Sequence, residues 1–133
     1  MSLSFCIQKV ESTGVGFSYS GFNAFRHRIA RSLGLKDIWP MVSGKDMYMT
    51  GRYKEIESTH PVYPLIDHDD NDGDMGPDDC GQVAAYLETL FPEWERELEE
   101  DPDEDLEEDI ERGKKLAELM KRCHENGDTL LFL

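Results

Sequence analysis

No apolar run in this chain approaches the roughly 18 residues needed to span a bilayer, which argues against a membrane-spanning helix. Residues 1–20 lack the charged start and continuous apolar centre of a signal peptide, so the expected address is the cytoplasm. Cysteine is scarce, and Cys6, Cys80 and Cys123 are an odd number without C-x-x-C spacing. That argues against both a disulfide framework and a zinc knuckle, and predicts reduced, mostly buried thiols. Positive charge is short as well: 14 Lys and Arg stand against 29 Asp and Glu, a net charge of −15. Phosphate contacts need the opposite sign, so direct nucleic-acid binding is disfavoured. No phosphate-cradling loop is present either, because Gly14-Val15-Gly16 lacks the third glycine and the strand–helix setting of a dinucleotide site.

What is there fits one domain over residues 1–133, long enough to bury a core without disulfides or structural metal. The charge is unevenly spread. Residues 1–54 carry eight basic against three acidic side chains, whereas residues 55–133 carry six against twenty-six. The plain interpretation is a basic N-terminal helix beside an acidic C-terminal part whose surplus charge serves solubility. The sharper one is an acidic surface that attracts a basic protein partner.

Alternation over Leu3 to Val10 predicts a first strand, and Glu11 to Gly21 reads as a loop or ragged hairpin. From about Phe22 the spacing becomes helical. Phe22, Phe25, Ile29 and Leu33 share one face, Gly34 is placed to stop the helix, and Arg26, Arg28 and Arg31 are expected outside the apolar stripe. Residues 35–65 are dense in breakers such as Trp39-Pro40 and His60-Pro61, with short strands conceivable at Met47 to Met49 or Arg52 to Ile56. A second helix is expected from Pro77 to just before Pro92, burying Cys80, Val83, Ala84, Leu87 and Phe91. Residues 93–105, dominated by Glu and Asp, read as an acidic connector with at most a helical turn around Trp94. A third helix follows from about Asp103 to Glu125, burying Leu106, Ile110, Gly113, Leu116, Ala117, Met120 and Cys123. Asn126-Gly127 supplies the stop, and Thr129 to Leu133 is a short strand that needs Leu3 to Val10 as a neighbour. The fold class is α+β: a small sheet including the N- and C-terminal strands, covered by two or three helices.

One constellation resembles a site. In the run His68 to Asp79, an EF-hand-like register puts His68, Asp70 and Asp72 at ligand positions 1, 3 and 5, Gly73 at the sharp turn, and Asp74 at the backbone-carbonyl position. Met75 then falls at the apolar position and Asp79 at the closing carboxylate, with a helix directly after. His68 is a poor ligand for a hard cation, Asp79 is one methylene shorter than the usual Glu, and His60-Pro61-Val62-Tyr63-Pro64 rules out a regular helix before the loop. Three interpretations stay open. The loop is a turn and helix start whose side-chain oxygens cap backbone N–H groups, a calcium or other divalent-cation site using His68, Asp70, Asp72, Asp74 and Asp79, or a transition-metal site joining His68 to His60, Cys80 or nearby carboxylates.

The same run resembles a family of small, mostly bacterial proteins of unknown function with a His-x-Asp-x-Asp-Gly-x-apolar-x-Pro-acid-acid loop, an amphipathic helix after it, and a helix and short strand at the end. The likeness covers Tyr63 to Phe91, and Leu116 to Leu133 more loosely. It implies that His68 is a regular part of the loop rather than a degraded calcium ligand, and it brings no activity with it.

Nucleophilic chemistry finds little footing. Cys123 and His124 are neighbours on a helix and point about 100° apart, and carboxylates are too abundant to single out an acid/base pair. Trp39 and Trp94 are expected as semi-buried anchors. Three functional expectations follow: an accessory or interaction protein with an acidic surface, a divalent-metal-dependent regulator acting through Asp70, Asp72 and Asp79, and an enzyme using His68 as acid/base beside Asp70 or Asp72.

Overall fold

The computed structural model describes residues 2–7, 12–33, 60–66 and 74–132. Two strands open the chain, β1 (Ser2–Ile7) and β2 (Ser12–Ser18), followed by helix α1 (Tyr19–Ser32) and the single turn α2 (Tyr63–Ile66). Then come β3 (Asp74–Met75), α3 (Pro77–Glu100), α4 (Glu104–Asn126) and β4 (Leu130–Phe132). The sheet is antiparallel in the order β2-β1-β4-β3. Helices of 14, 24 and 23 residues outweigh strands of six, seven, two and three, so the α+β domain is mainly helical.

The terminal strands pair as their patterns require, with Phe5 opposite Phe132 and Ile7 opposite Leu130. Of the loop or ragged hairpin expected over Glu11 to Gly21, the described residues form the hairpin. Ser12 to Ser18 is a regular strand on β1, with a register shift between Ser4 and Cys6, and the helix already begins at Tyr19. Phe17 faces inward from that strand. It is 2% exposed, with its ring centroid 5.5 Å from Phe22 and 5.3 Å from Phe25.

The largest correction concerns residues 93–105. They are not a connector: α3 runs through Pro92 to Glu100, and only residues 101–103 separate it from α4. Proline removes one backbone donor from a helix interior. Pro92 is exposed, however, so water can take up the carbonyl left without that donor, while Leu90, Phe91 and Trp94 continue the buried stripe begun by Cys80, Val83 and Leu87. The stripe outweighs the proline. Trp94 is 2% exposed, stands edge-on to Phe25 and Phe91 at 5.9 Å each, and donates its indole N–H to Ser32 Oγ at 3.2 Å.

Helix α4 begins and ends on its sequence signals. The Asp103 carboxylate accepts the Asp105 N–H at 2.9 Å as N-cap, satisfying one of the otherwise orphaned donors of the first turn. Gly127 closes the helix at φ 69°, a left-handed conformation natural to glycine, and Asp128 N–H reaches back to the Cys123 carbonyl at 2.8 Å. One hydrophobic cluster draws on β2, α1, α2, β3, α3, α4 and β4. The α3–α4 hairpin is its main body, and Gly113 lets α4 approach Phe25 and Phe91 closely.

The arginines of α1 do not all face outward. Arg26 is fully buried, with its guanidinium carbon 4.4 Å from the Phe22 ring centroid and Nη1 donating to the Leu65 carbonyl at 3.4 Å. A cation held against an aromatic face and a backbone carbonyl can be sequestered from water in a way an isolated charge cannot. Arg28 is mostly buried and paired, and Arg31 is exposed.

Candidate functional site

Two places are candidates for a functional site: the return from the acidic loop, and the acidic end of the helical hairpin. Of the five loop residues expected as ligands, His68, Asp70 and Asp72 lie outside the described residues, while Asp74 and Asp79 lie within them. Asp74 is exposed in β3 opposite Leu131. Met75, at the apolar position of the loop, is 2% exposed and pairs with Leu130, so the outgoing end of the loop is fastened to the sheet. Gly76 is then the N-cap of α3 and makes no side-chain cap, so Pro77, which has no N–H, and the carboxylates of Asp78 and Asp79 form the first turn. Both carboxylates are exposed at the positive end of the helix dipole. The side-chain capping expected from this loop is therefore absent at the N-cap itself.

Among the described residues no three His, Cys, Asp or Glu side chains are grouped to hold a metal ion. His60 and Cys80, the companions considered for a transition metal, are engaged elsewhere. The His60 ring stands edge-on to Tyr86 at 4.8 Å and its Nδ1 accepts the Val62 N–H at 3.1 Å. Cys80 is fully buried and donates its S–H to the Met75 carbonyl at 3.5 Å.

The hairpin end is the second place. Residues 93–111 contain thirteen acidic side chains against the single Arg96, a net charge of −12. Asp109 alone among the thirteen is buried. It accepts a hydrogen bond from Arg28 Nε at 2.8 Å, and burial pushes its carboxyl up while the Arg28 hydrogen bond and charge pull it back. The other twelve face solvent on helices held by the Trp94, Leu106 and Ile110 side chains. Cations gather toward the other end of the hairpin, where Lys114 pairs with Glu95 and Lys121 approaches Glu88 at 3.9 Å. Between these pairs runs a groove of about 380 Å³, floored by Phe91, Pro92 and Ala117 and flanked by Glu88, Glu95 and Glu118. A smaller hollow of about 210 Å³ beside Arg28, Arg31, Ser32 and Trp94 has its cations offset by Asp109 and Glu97.

The sequence announced the loop by its motif and the acid run by its composition. It did not announce that the run is a helical surface, although Trp94 and Leu98 continue the spacing of Leu87 and Phe91. Fold and charge together define a mainly helical α+β domain with an acidic helical hairpin. No family profile matches the chain, and neither the curated proteins nor the solved structures compared with it include a match. Among the described residues no helix is long and apolar enough to cross a membrane.

Proposed function

We propose that this chain is a non-enzymatic, cytoplasmic interaction protein whose acidic hairpin end docks a basic protein partner. The observation that supports this reading is the ordered helical display of twelve exposed carboxylates around the turn at 101–103. Such a display opposes stability. Like charges repel, and the last turn of α3 has no basic residue where the helix dipole favours cations. Solubility needs far less charge than this. A concentrated negative field does, however, steer a cationic partner and raise its rate of encounter.

The test compares wild type with a variant carrying Glu97→Lys, Glu100→Lys, Glu104→Lys and Glu108→Lys. A basic protein retained by wild type at low salt, lost on the variant, and binding with fixed stoichiometry once purified is the expected result. Equal retention by both proteins would remove the hairpin from the interaction.

A second reading, a divalent-cation-dependent regulator, draws on the fastening of Met75 into the sheet and the position of Asp79 in the first turn of α3. A cation bound by Asp70, Asp72 and Asp79 would tie the loop to α3. The likeness to the bacterial loop family belongs with this reading, since both turn on residues His68 to Asp79. A cation that binds only the native state raises stability. Melting after chelator treatment and with about millimolar calcium, magnesium or zinc decides it: a cation-specific rise lost in Asp72→Ala supports the regulator, and no rise dismisses it.

A further inference from the structure

The groove between α3 and α4 is bounded by two cross-helix ion pairs, Lys114 with Glu95 at one end and Lys121 with Glu88 at the other. On each helix the two bounding residues are seven positions apart. At 1.5 Å per residue the opening is about 10 Å long, two helical turns. Its floor is apolar: Phe91 and Ala117 close it from below, and Pro92 is exposed within it.

Pro92 gives the groove a second feature. Proline has no N–H, so the Glu88 carbonyl one turn earlier has lost its helical donor at the edge of the groove. An incoming N–H group can take that place. The charges favour the same kind of visitor. Both lysines are engaged by Glu95 and Glu88, which leaves Glu118, and among the described residues Glu118 pairs with no cation. Beyond Glu95 the groove runs toward the turn at 101–103 and its exposed carboxylates.

We propose that this groove seats one face of an amphipathic basic helix from a protein partner, with two apolar side chains against Pro92 and arginine or lysine side chains over Glu118, the Glu88 carbonyl and the hairpin end. The proposal rests on the reading of the hairpin end as a docking surface for a basic partner, and it supplies the apolar anchor that charge alone lacks. Exposed ion pairs steer a partner but hold it weakly, whereas apolar side chains taken out of water govern how long a complex lasts. Residues at i and i+4 of a helix stand about 6 Å apart along its axis, so two such anchors fit between the bounding ion pairs. A second copy of this chain is a poor occupant, because a net charge of −15 sets carboxylates against carboxylates.

The test measures the binding of two synthetic peptides to the full-length chain by fluorescence anisotropy. Both contain the same leucines, lysines and arginines. In one the leucines fall at i and i+4 on a single helical face, and in the other they are scattered around the helix. Wild type is expected to bind the first about tenfold more tightly at about 0.15 M salt. Pro92→Gln, which keeps the charge and returns an N–H to the Glu88 carbonyl, should abolish that preference. The variant with Glu97→Lys, Glu100→Lys, Glu104→Lys and Glu108→Lys should bind both peptides more weakly. Equal affinity of wild type for the two peptides, or a preference kept by Pro92→Gln, overturns the groove proposal and leaves the hairpin end as a charged docking surface. Binding of neither peptide, or no weakening in the hairpin variant, removes the hairpin reading and the groove proposal with it. Self-association of wild type over the same concentrations, abolished by Pro92→Gln, assigns the groove to a second copy and also overturns the proposal. The two-peptide comparison on wild type needs no variant, so it decides even where Pro92→Gln alters the fold.

Discussion

Arg28 on α1 and Asp109 on α4 meet at 2.8 Å between Nε and Oδ2, with only 19% and 11% of their side chains exposed. The pair ties the first helix to the last. Removing one partner of a largely buried charged hydrogen bond leaves the other poorly solvated, which costs about 1.5–3 kcal/mol. Asp109→Ala is expected to lose stability in that range by urea unfolding. Asp109→Asn, which keeps a carbonyl oxygen for Arg28, should lose about half as much. A double-mutant cycle with Arg28→Met should return a coupling of about 1–3 kcal/mol.

The same pair fixes a pH dependence. Burial raises the folded Asp109 carboxyl above its ordinary value, against the pull of Arg28. A raised folded value means that the folded state holds the proton more tightly than the unfolded one. Its stabilising contribution is full below the unfolded carboxylate range of about 3.9 and is lost as pH climbs through the folded value. The stability of wild type relative to Asp109→Asn should therefore fall as pH rises from about 4 toward neutrality. A difference that grew with pH would mean that Arg28 outweighs burial at this site.

Two glycines of the hairpin should respond differently to alanine. At Gly113 the new Cβ would stand 2.8 Å from Phe25 Cε1 and 2.9 Å from Phe91 Cε1, both rings belonging to the packed core. Overpacking of that kind costs about 1–3 kcal/mol, more than the roughly 1 kcal/mol that alanine gains over glycine in helix propensity. At Gly81 the obstacle is the exposed His124 ring, which can swing away at the loss of its contact with the Pro77 carbonyl. Gly113→Ala should lower the melting temperature clearly, and Gly81→Ala should change stability by less than about 1 kcal/mol.

Trp94 separates an acidic connector from a continuous helix. In a solvated connector Trp94→Ala would be nearly silent. Packed against Phe25 and Phe91 at 2% exposure, its loss should cost about 3–5 kcal/mol. Trp94→Phe, which keeps most of the ring and gives up the bond to Ser32, should cost far less. Pro92→Ala should leave the helical circular-dichroism signal intact and stability equal or higher, because the proline is exposed within an established helix.

These cases show where the sequence could be trusted. Apolar residues at helical spacing placed α1, α4 and the first half of α3 because a buried stripe repeats every 3.6 residues whatever the tertiary context. Asp103 and Gly127 marked the ends of α4 because their roles are local. Long-range compensation was not legible. Nothing near Arg26 in sequence indicates that the Leu65 carbonyl, 39 residues on, receives it. Asp109 looks like any other acid of its run, although Leu106, Ile110 and Gly113 place it at the edge of the buried stripe. Trp94 reads from the sequence as a semi-buried anchor, but Pro92 and the surrounding glutamates, poor local signals for a packed helix, conceal that α3 carries its buried stripe through it. The candidate loop was legible as a motif, but only Asp74 and Asp79 of its five expected ligands fall within the described residues.

The acidic hairpin allows function and stability to be set against each other. Glu97, Glu99 and Glu100 occupy the C-terminal end of α3, where the helix dipole favours cations and no basic residue is present. Glu99→Lys and Glu100→Lys should each stabilise the protein by about 0.3–1 kcal/mol at low ionic strength, and the gain should shrink toward zero as salt screens it. If the charge serves only solubility, these variants are more stable and otherwise indistinguishable from wild type in every binding assay. If it serves a basic partner, the same two substitutions raise the melting temperature and slow association, with the loss concentrated in the association rate because exposed rim charges act mainly by steering. Melting curves and association rates on one pair of variants therefore separate a charge kept for its own sake from one maintained at the expense of the fold.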